Sequence, residues 1–431
     1  MPVSAGTEPR SGLTLKRRHL IPPPPRKRFR FDEHGARFLI YPQPMAARGF
    51  EMPRLARISG TIGPGPSDRR MYVVDALRKD PYRDPDNGDP IWFPPYPKSM
   101  PHNDPVPPAA DGHFDHLEPG TREFSAAAAF AAAHCAFEVW EHYLGRRLRL
   151  VTRRGQHRLE IVPRVTKIGD GAWSGEGFIE CGFANQNQRQ PYCENIDVVA
   201  HECGHIILKR VIGRPPKGRR EFDRRSHDEA GADLVALICV LHFDSVVNAV
   251  MAQTRGKLYS LNILSQIGEY RQGSGHRAIR TAFQGRTMAS VSRARRADNK
   301  HLYAQPLLGA AFDILVEMYE DHLVRRGLID RDLARRSTRA AAKRHSGIRR
   351  EFAARYALNP DGFADSLRDA TADFAYILAL AWRKSRRTGV TFSRVASNIA
   401  AADLRLNQGR YGQTIRRAFK KRQIGVRLSR P

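Results

Sequence analysis

"DVVAHECGHIIL", residues 197–208, is the stretch on which the reading of this chain turns. Two histidines, His201 and His205, stand four apart, with Glu202 directly after the first. Four residues make just over one helical turn, so both imidazoles project from one face, one above the other. That is the spacing at which two imidazoles share a zinc ion. Glu202 lies about 100° round the helix. It need not touch metal, but it reaches a water on an open coordination position, whose pKa zinc lowers to about 7. A carboxylate there takes the proton and passes it to a leaving amine. The same residues also read as an amphipathic core helix with incidental histidines. In a chain with 16 histidines, five residues do not choose between the two readings.

The flanks carry more information. A helix is expected from about 196 to 212, with Asp197 near its start, Lys209 and Arg210 near its end, and Gly213 after it. Downstream, "HDEAGADLVALICVLHF", 227–243, reads as a second helix that Asp228 can cap, with Leu234, Leu237, Ile238 and Leu241 as its apolar stripe. Glu229 follows His205 by 24 residues, at the start of a helix able to pack antiparallel to the first. It supplies the third protein ligand that a catalytic zinc needs. Asp233, one turn on, can accept a hydrogen bond from the outer nitrogen of a ligand histidine.

"IDVVAHECGH…DEAGADLVAL" resembles the thermolysin family of zinc metallopeptidases, with Glu229 and Asp233 on the family's second motif. "FSAAAAFAAAHCAFEVWEHYLGR", 124–146, is similar to the helix before that family's sheet, and "AWSGEGFIECG", 172–182, to the edge strand that holds its substrate. "HLYAQPLLGAAF", 301–312, places His301 at the histidine that stabilises the oxyanion, and "IGEY…RAIRT", 267–281, places Arg280 at the substrate-carbonyl arginine. "TFSRVASNIAAADLRL" and "TIRRAF" are similar to its last helices.

The resemblance implies an α+β, two-lobed peptidase that binds one zinc ion through His201, His205 and Glu229. Glu202 is then the base that activates zinc-bound water, and a peptide or protein is the substrate. Two features depart from the family. No tyrosine lies between His205 and Glu229, which leaves the oxyanion to zinc and His301. Asp197 and Glu269 match calcium ligands, but an apolar stretch around Val240 replaces the glutamate that the pair needs, so calcium is not expected.

The 431 residues are enough for two or three domains. Residues 1–60, with "PPPP" at 22–25 beside "RKRFR" at 26–30, are expected to form an irregular arm with a solvated basic cluster. Residues 61–212 form the N-terminal α/β lobe. Residues 213–431 form a helical lobe with a basic insertion at about 325–360. Strands are expected at 70–75, 158–165 and 177–184, and loop at 80–112. Further helices are expected at 124–145 (capped by Ser125 and ended by Gly145), 305–326, 363–383, 392–406 and 412–422.

The net charge is +28, from 72 Lys and Arg against 44 Asp and Glu. Such a surface attracts nucleic acid, anionic membrane surfaces or acidic polypeptides without sequence preference. A rival reading follows: a basic interaction or nucleic-acid-binding protein that keeps a peptidase-like fold without cleaving peptides. Five cysteines in no paired spacing fit a reducing compartment. No apolar run reaches 18 residues, so no membrane span is expected. The N-terminus shows neither a Sec-type apolar segment nor the family's long propeptide, so a cytoplasmic location or a non-Sec route is expected.

Overall fold

The computed structural model describes residues 27–45, 47–83, 89–168, 171–183, 191–215, 221–271, 277–339 and 346–427. It is a mixed α/β architecture. In chain order the first elements are β1 (Ala36–Ile40), β2 (Arg54–Ile58), β3 (Met71–Val73), α1 (Arg122–Leu144), β4 (Leu159–Val162), β5 (Ala172–Ser174), β6 (Phe178–Cys181) and α2 (Ile196–Val211). Then come α3 (Phe222–Val240), α4 (Asp244–Thr254), β7 (Gln266–Arg271), β8 (Arg277–Thr281) and α5 (Lys300–Arg325). The chain continues through α6 (Arg331–Arg339), α7 (Ser346–Leu358), α8 (Pro360–Lys384), α9 (Phe392–Asn407) and α10 (Gly412–Lys421).

The central sheet runs β3-β4-β6-β5. β3, β4 and β6 are parallel, and β5 closes one edge antiparallel to β6. β4 and β6 are buried along their whole length, as parallel strands with covered faces are. Each nonetheless carries a glutamate. Glu160 accepts from the Tyr72 and Tyr82 hydroxyls and from the Tyr96 amide at 2.8 Å. Glu180 pairs with buried Lys79 and accepts from the Tyr82 amide at 3.0 Å. A buried carboxylate must be paired to be tolerated. Tyr82 and Tyr96 come from the proline-rich stretch expected as loop, and they tie its described part to the sheet.

α1 is built on alanine, which loses least on entering a helix. Its start differs from expectation. Thr121 caps it by accepting from the Phe124 amide at 3.1 Å, while Ser125 sits inside the first turn and bonds Glu194 and Arg164. Gly145 ends the helix at φ 64°, a conformation that a side chain would oppose.

α2 and α3 form the centre of the core. Gly204 and Gly231 allow their close approach: a Cβ on Gly204 would lie 2.7 Å from the Ala232 backbone, and one on Gly231 would lie 2.7 Å from Leu208. One apolar cluster runs from this pair into α1, α5 and α8. All five cysteines are free and buried.

Three further expectations are corrected. α3 begins at Phe222, so Asp228 is no cap and Glu229 lies inside the helix. Residues 1–60 are not all irregular: β1 and β2 pair antiparallel, and residues 1–26 lie outside the described part. The described end of the basic cluster is not simply solvated, because Phe29 and Phe31 pack on His242 and Phe243 and Arg28 pairs with Asp365 and Asp369. The basic stretch after α5 holds α6 and α7, anchored by buried Leu333, Ile348 and Phe352. No single helix among the described residues is long and apolar enough to cross a membrane.

Candidate metal and catalytic site

Two successive turns of α2 present His201 and His205 with ring centroids 4.8 Å apart and planes at 88°. α3, held close by the paired glycines, brings Glu229 beneath them. Glu229 Oε2 lies 3.5 Å from His201 Nε2 and 3.8 Å from His205 Nε2. One ligand atom from each of the three residues falls within 4.8 Å of the other two. Tetrahedral zinc with bonds of ~2.0–2.2 Å holds its ligand atoms ~3.4 Å apart, so the widest pair needs to close by no more than about 1.4 Å.

The donor set fits such an ion. The His201 ring donates from Nδ1 to Asp233 Oδ1 at 2.9 Å, which leaves Nε2 as the nitrogen facing Glu229. Glu229 Oε2 is buried, yet no hydrogen bond reaches it. An orphaned carboxylate oxygen between two imidazoles is a cradle for a cation.

The electrostatics agree. Burial and the Arg280 charge oppose protonation of His201, but the carboxylates of Asp233 and Glu229 outweigh them and hold its pKa up to about 9. Burial holds His205 well below its ordinary value. Burial also disfavours the Glu229 carboxylate, but His205, Lys300 and His201 keep it well below the usual range.

Around this centre lies a cleft of about 650 Å³. Its lining takes in the three ligand residues, Glu202, Arg280, His301 and the β5 stretch 171–174. Glu202 is buried on α2, between the ligand histidines in sequence and on the same cleft. β5 is the outer strand of its sheet. Gly171 and Gly175 bond across to Gly182 and Phe178, so Ala172 and Ser174 turn their backbone groups to the outer edge.

His301 and Arg280 also reach the centre. His301 lies in the first turn of α5, which starts at Lys300 rather than at 305 because Asn299 caps it, accepting from the Leu302 amide at 2.8 Å. His301 Nδ1 lies 3.1 Å from Glu229 Oε2 and 3.2 Å from Arg280 Nη1. Arg280 holds Asp233, with Nε 3.0 Å from Oδ1. On the cleft wall this guanidinium links Asp233 and His301. Asp197 is buried in the first turn of α2, and its pKa is pushed up to about 7 by burial and by Asp233. The side chain of Glu269 lies outside the described residues.

The sequence reading missed Lys300 and Lys209. Lys300 Nζ lies 2.7 Å from Glu229 Oε1. Lys209 stands one turn past His205 on the cleft-lining face of α2, a signal that the spacing His201, His205, Lys209 carried. No such local signal exists for Lys300, whose place depends on where α5 docks.

No family model matches this chain, and no curated protein matches it. Among solved structures, the precursor of protealysin, a metalloproteinase from Serratia proteamaculans, is similar over 70% of this chain and 89% of that chain, with a TM-score of 0.37 and 13% identity. A likeness that distant carries no functional weight.

Proposed function

We propose that this protein is a zinc-dependent metallopeptidase of thermolysin-like, two-lobed α+β architecture. Residues 61–212 would form the sheet-bearing lobe, and 213–431 the helical one. The observation that carries the reading is the convergence of His201, His205 and Glu229, with Asp233 behind His201, on a cleft lined by Glu202. The three ligands would hold one zinc ion, and the bound ion would polarise water and the peptide carbonyl.

Glu202 accepts a proton from the attacking water as the new C–O bond forms and the carbonyl electron pair moves onto oxygen. The C–N bond then breaks, and Glu202 returns the proton to the leaving amine. His301 Nδ1 lies between Arg280 and Glu229, and the outer ring nitrogen Nε2 would meet the developing oxyanion. The peptide lies extended along β5, bonded to Ala172 and Ser174 as an added strand.

The test compares wild type with Glu202→Gln and Glu229→Gln. Glu202→Gln keeps about one zinc per chain and loses peptidase activity by at least ~10²–10⁴-fold. Glu229→Gln loses zinc affinity first, because a charged ligand is gone. Zinc-dependent cleavage that survives unchanged in Glu202→Gln removes Glu202 from the reaction.

A second reading, a basic interaction or nucleic-acid-binding protein on this fold, draws on the Lys300–Glu229 ion pair, which neutralises the carboxylate without metal. It requires a purified protein that takes up no zinc and cleaves no peptide, with retention on polyanions that falls steeply with salt.

A further inference from the structure

We propose that Lys300 is a second donor to the carbonyl oxygen of the scissile peptide group, so that its ammonium and the His301 imidazole together carry the charge that oxygen gains. The inference rests on the hydrolytic reading above and adds a residue to it.

A peptide carbonyl attacked by water places a full negative charge on oxygen, and preorganised donors aimed at that atom supply much of the rate enhancement. No tyrosine is among the described residues that line the cleft. Of the cleft's cations, Arg280 bonds Asp233 and His301, Arg225 pairs with Asp298, and Lys209 stands one turn past His205 on α2. Lys300 differs in where it points. Its Nζ lies 2.7 Å from Glu229 Oε1, while the other oxygen of the same carboxylate faces the imidazoles of His201 and His205. The ammonium therefore stands one carboxylate width from the point where the ligands converge.

Lys300 is also held to that side. It opens α5 directly after the Asn299 cap and next to His301, so one helix end presents both donors. At 39% exposure the side chain has room to turn from Glu229 towards a bound peptide. With Glu229 committed to a metal ion, the ammonium would be held less tightly to that carboxylate. The lysine would then be a strong donor with three N–H groups and a flexible stem beside the reacting carbonyl.

Lys300→Met and Lys300→Arg, made in the full chain and loaded with zinc, test this. Zinc content and cleavage of a peptide are measured first. Two probes are then bound: a peptide phosphonate, whose tetrahedral anion mimics the charged intermediate, and the uncleaved parent peptide on a Glu202→Gln background. Lys300→Met should keep its zinc and lower kcat by roughly 10²–10³-fold with KM little changed. It should weaken the phosphonate by a comparable factor and leave the parent peptide's affinity as it was, and Lys300→Arg should recover part of both losses. Unchanged kcat and phosphonate affinity in Lys300→Met overturn the proposal while the hydrolytic reading stands. Equal weakening of both probes also overturns it, since the lysine then only binds substrate. A wild type without zinc or cleavage overturns both.

Discussion

Asp233 holds His201 in place through a 2.9 Å hydrogen bond to Nδ1, and it is fully buried with Arg280 as its second partner. Asp233→Asn keeps the volume and one acceptor but loses the charge that fixes the ring and balances Arg280. The expected outcome is a ~10–100-fold fall in zinc affinity, measured by competition with a chelating dye, with one-to-one binding recovered at high zinc. Unchanged affinity would remove the orienting role from Asp233. At this scale the pairs His201–His205 and Glu229–Asp233 were each legible because helical spacing is local: residues four apart share a face whatever the rest of the chain does. The joining of the two pairs came from the family resemblance instead. Lys300 was not legible. Its contact with Glu229 joins residues 71 apart in sequence across two helices, and no local pattern encodes it.

The contact between α2 and α3 sets the site at the scale of elements. Alanine is the better helix former by about 1 kcal/mol, so on propensity alone Gly204→Ala would stabilise α2. Packing opposes this. The new Cβ would lie 2.7 Å from the Ala232 backbone, well inside the ~3.5–4.0 Å of ordinary carbon contact, and backbone cannot swing away. Overpacking of this kind costs ~1–3 kcal/mol, which outweighs the propensity gain. Gly204→Ala should melt lower than wild type and bind zinc more weakly, because separating the helices spreads the three ligands. A variant that melts higher with unaltered zinc affinity would show that the contact yields. Helix starts were the least legible feature of the elements. α3 begins five residues before the expected 227, and α5 five before 305, because each of these first turns carries little apolar periodicity and is held by packing or by a cap. α4, α6 and α7 were not anticipated for the same reason: each is short and buries only a few residues, such as Leu333, Ile348 and Phe352.

The scale of the whole molecule is where charge acts. Several arginines make long-range ion pairs: Arg28 with Asp365 and Asp369, Arg37 with Asp111 and Asp115, and buried Arg422 with Asp313. A histidine makes another such tie. His134 of α1 lies 3.2 Å from Asp68, just before β3, and 3.1 Å from Glu138. Burial opposes charge on the ring, but Asp68 and Glu138 outweigh it and raise its pKa above the ordinary 6.5. A raised pKa in the folded state means that the folded chain binds the proton more tightly. The stability it confers is therefore full below about pH 6.5 and is lost as pH rises through the folded value. Melting wild type against His134→Gln from pH 6 to 9 should show wild type's advantage shrinking as pH rises, and a gap that widens would reverse the assignment. By itself the sequence determined what short-range geometry governs: the face shared by His201 and His205, the strands of the central sheet, the apolar stripe of α3 and the net charge. Only the tertiary structure decided that Lys300 meets Glu229, that Arg280 bridges Asp233 and His301, and that two glycines set the helix spacing. These depend on how elements far apart in the chain dock, and docking is settled by summed packing over the entire core rather than by any local run of residues.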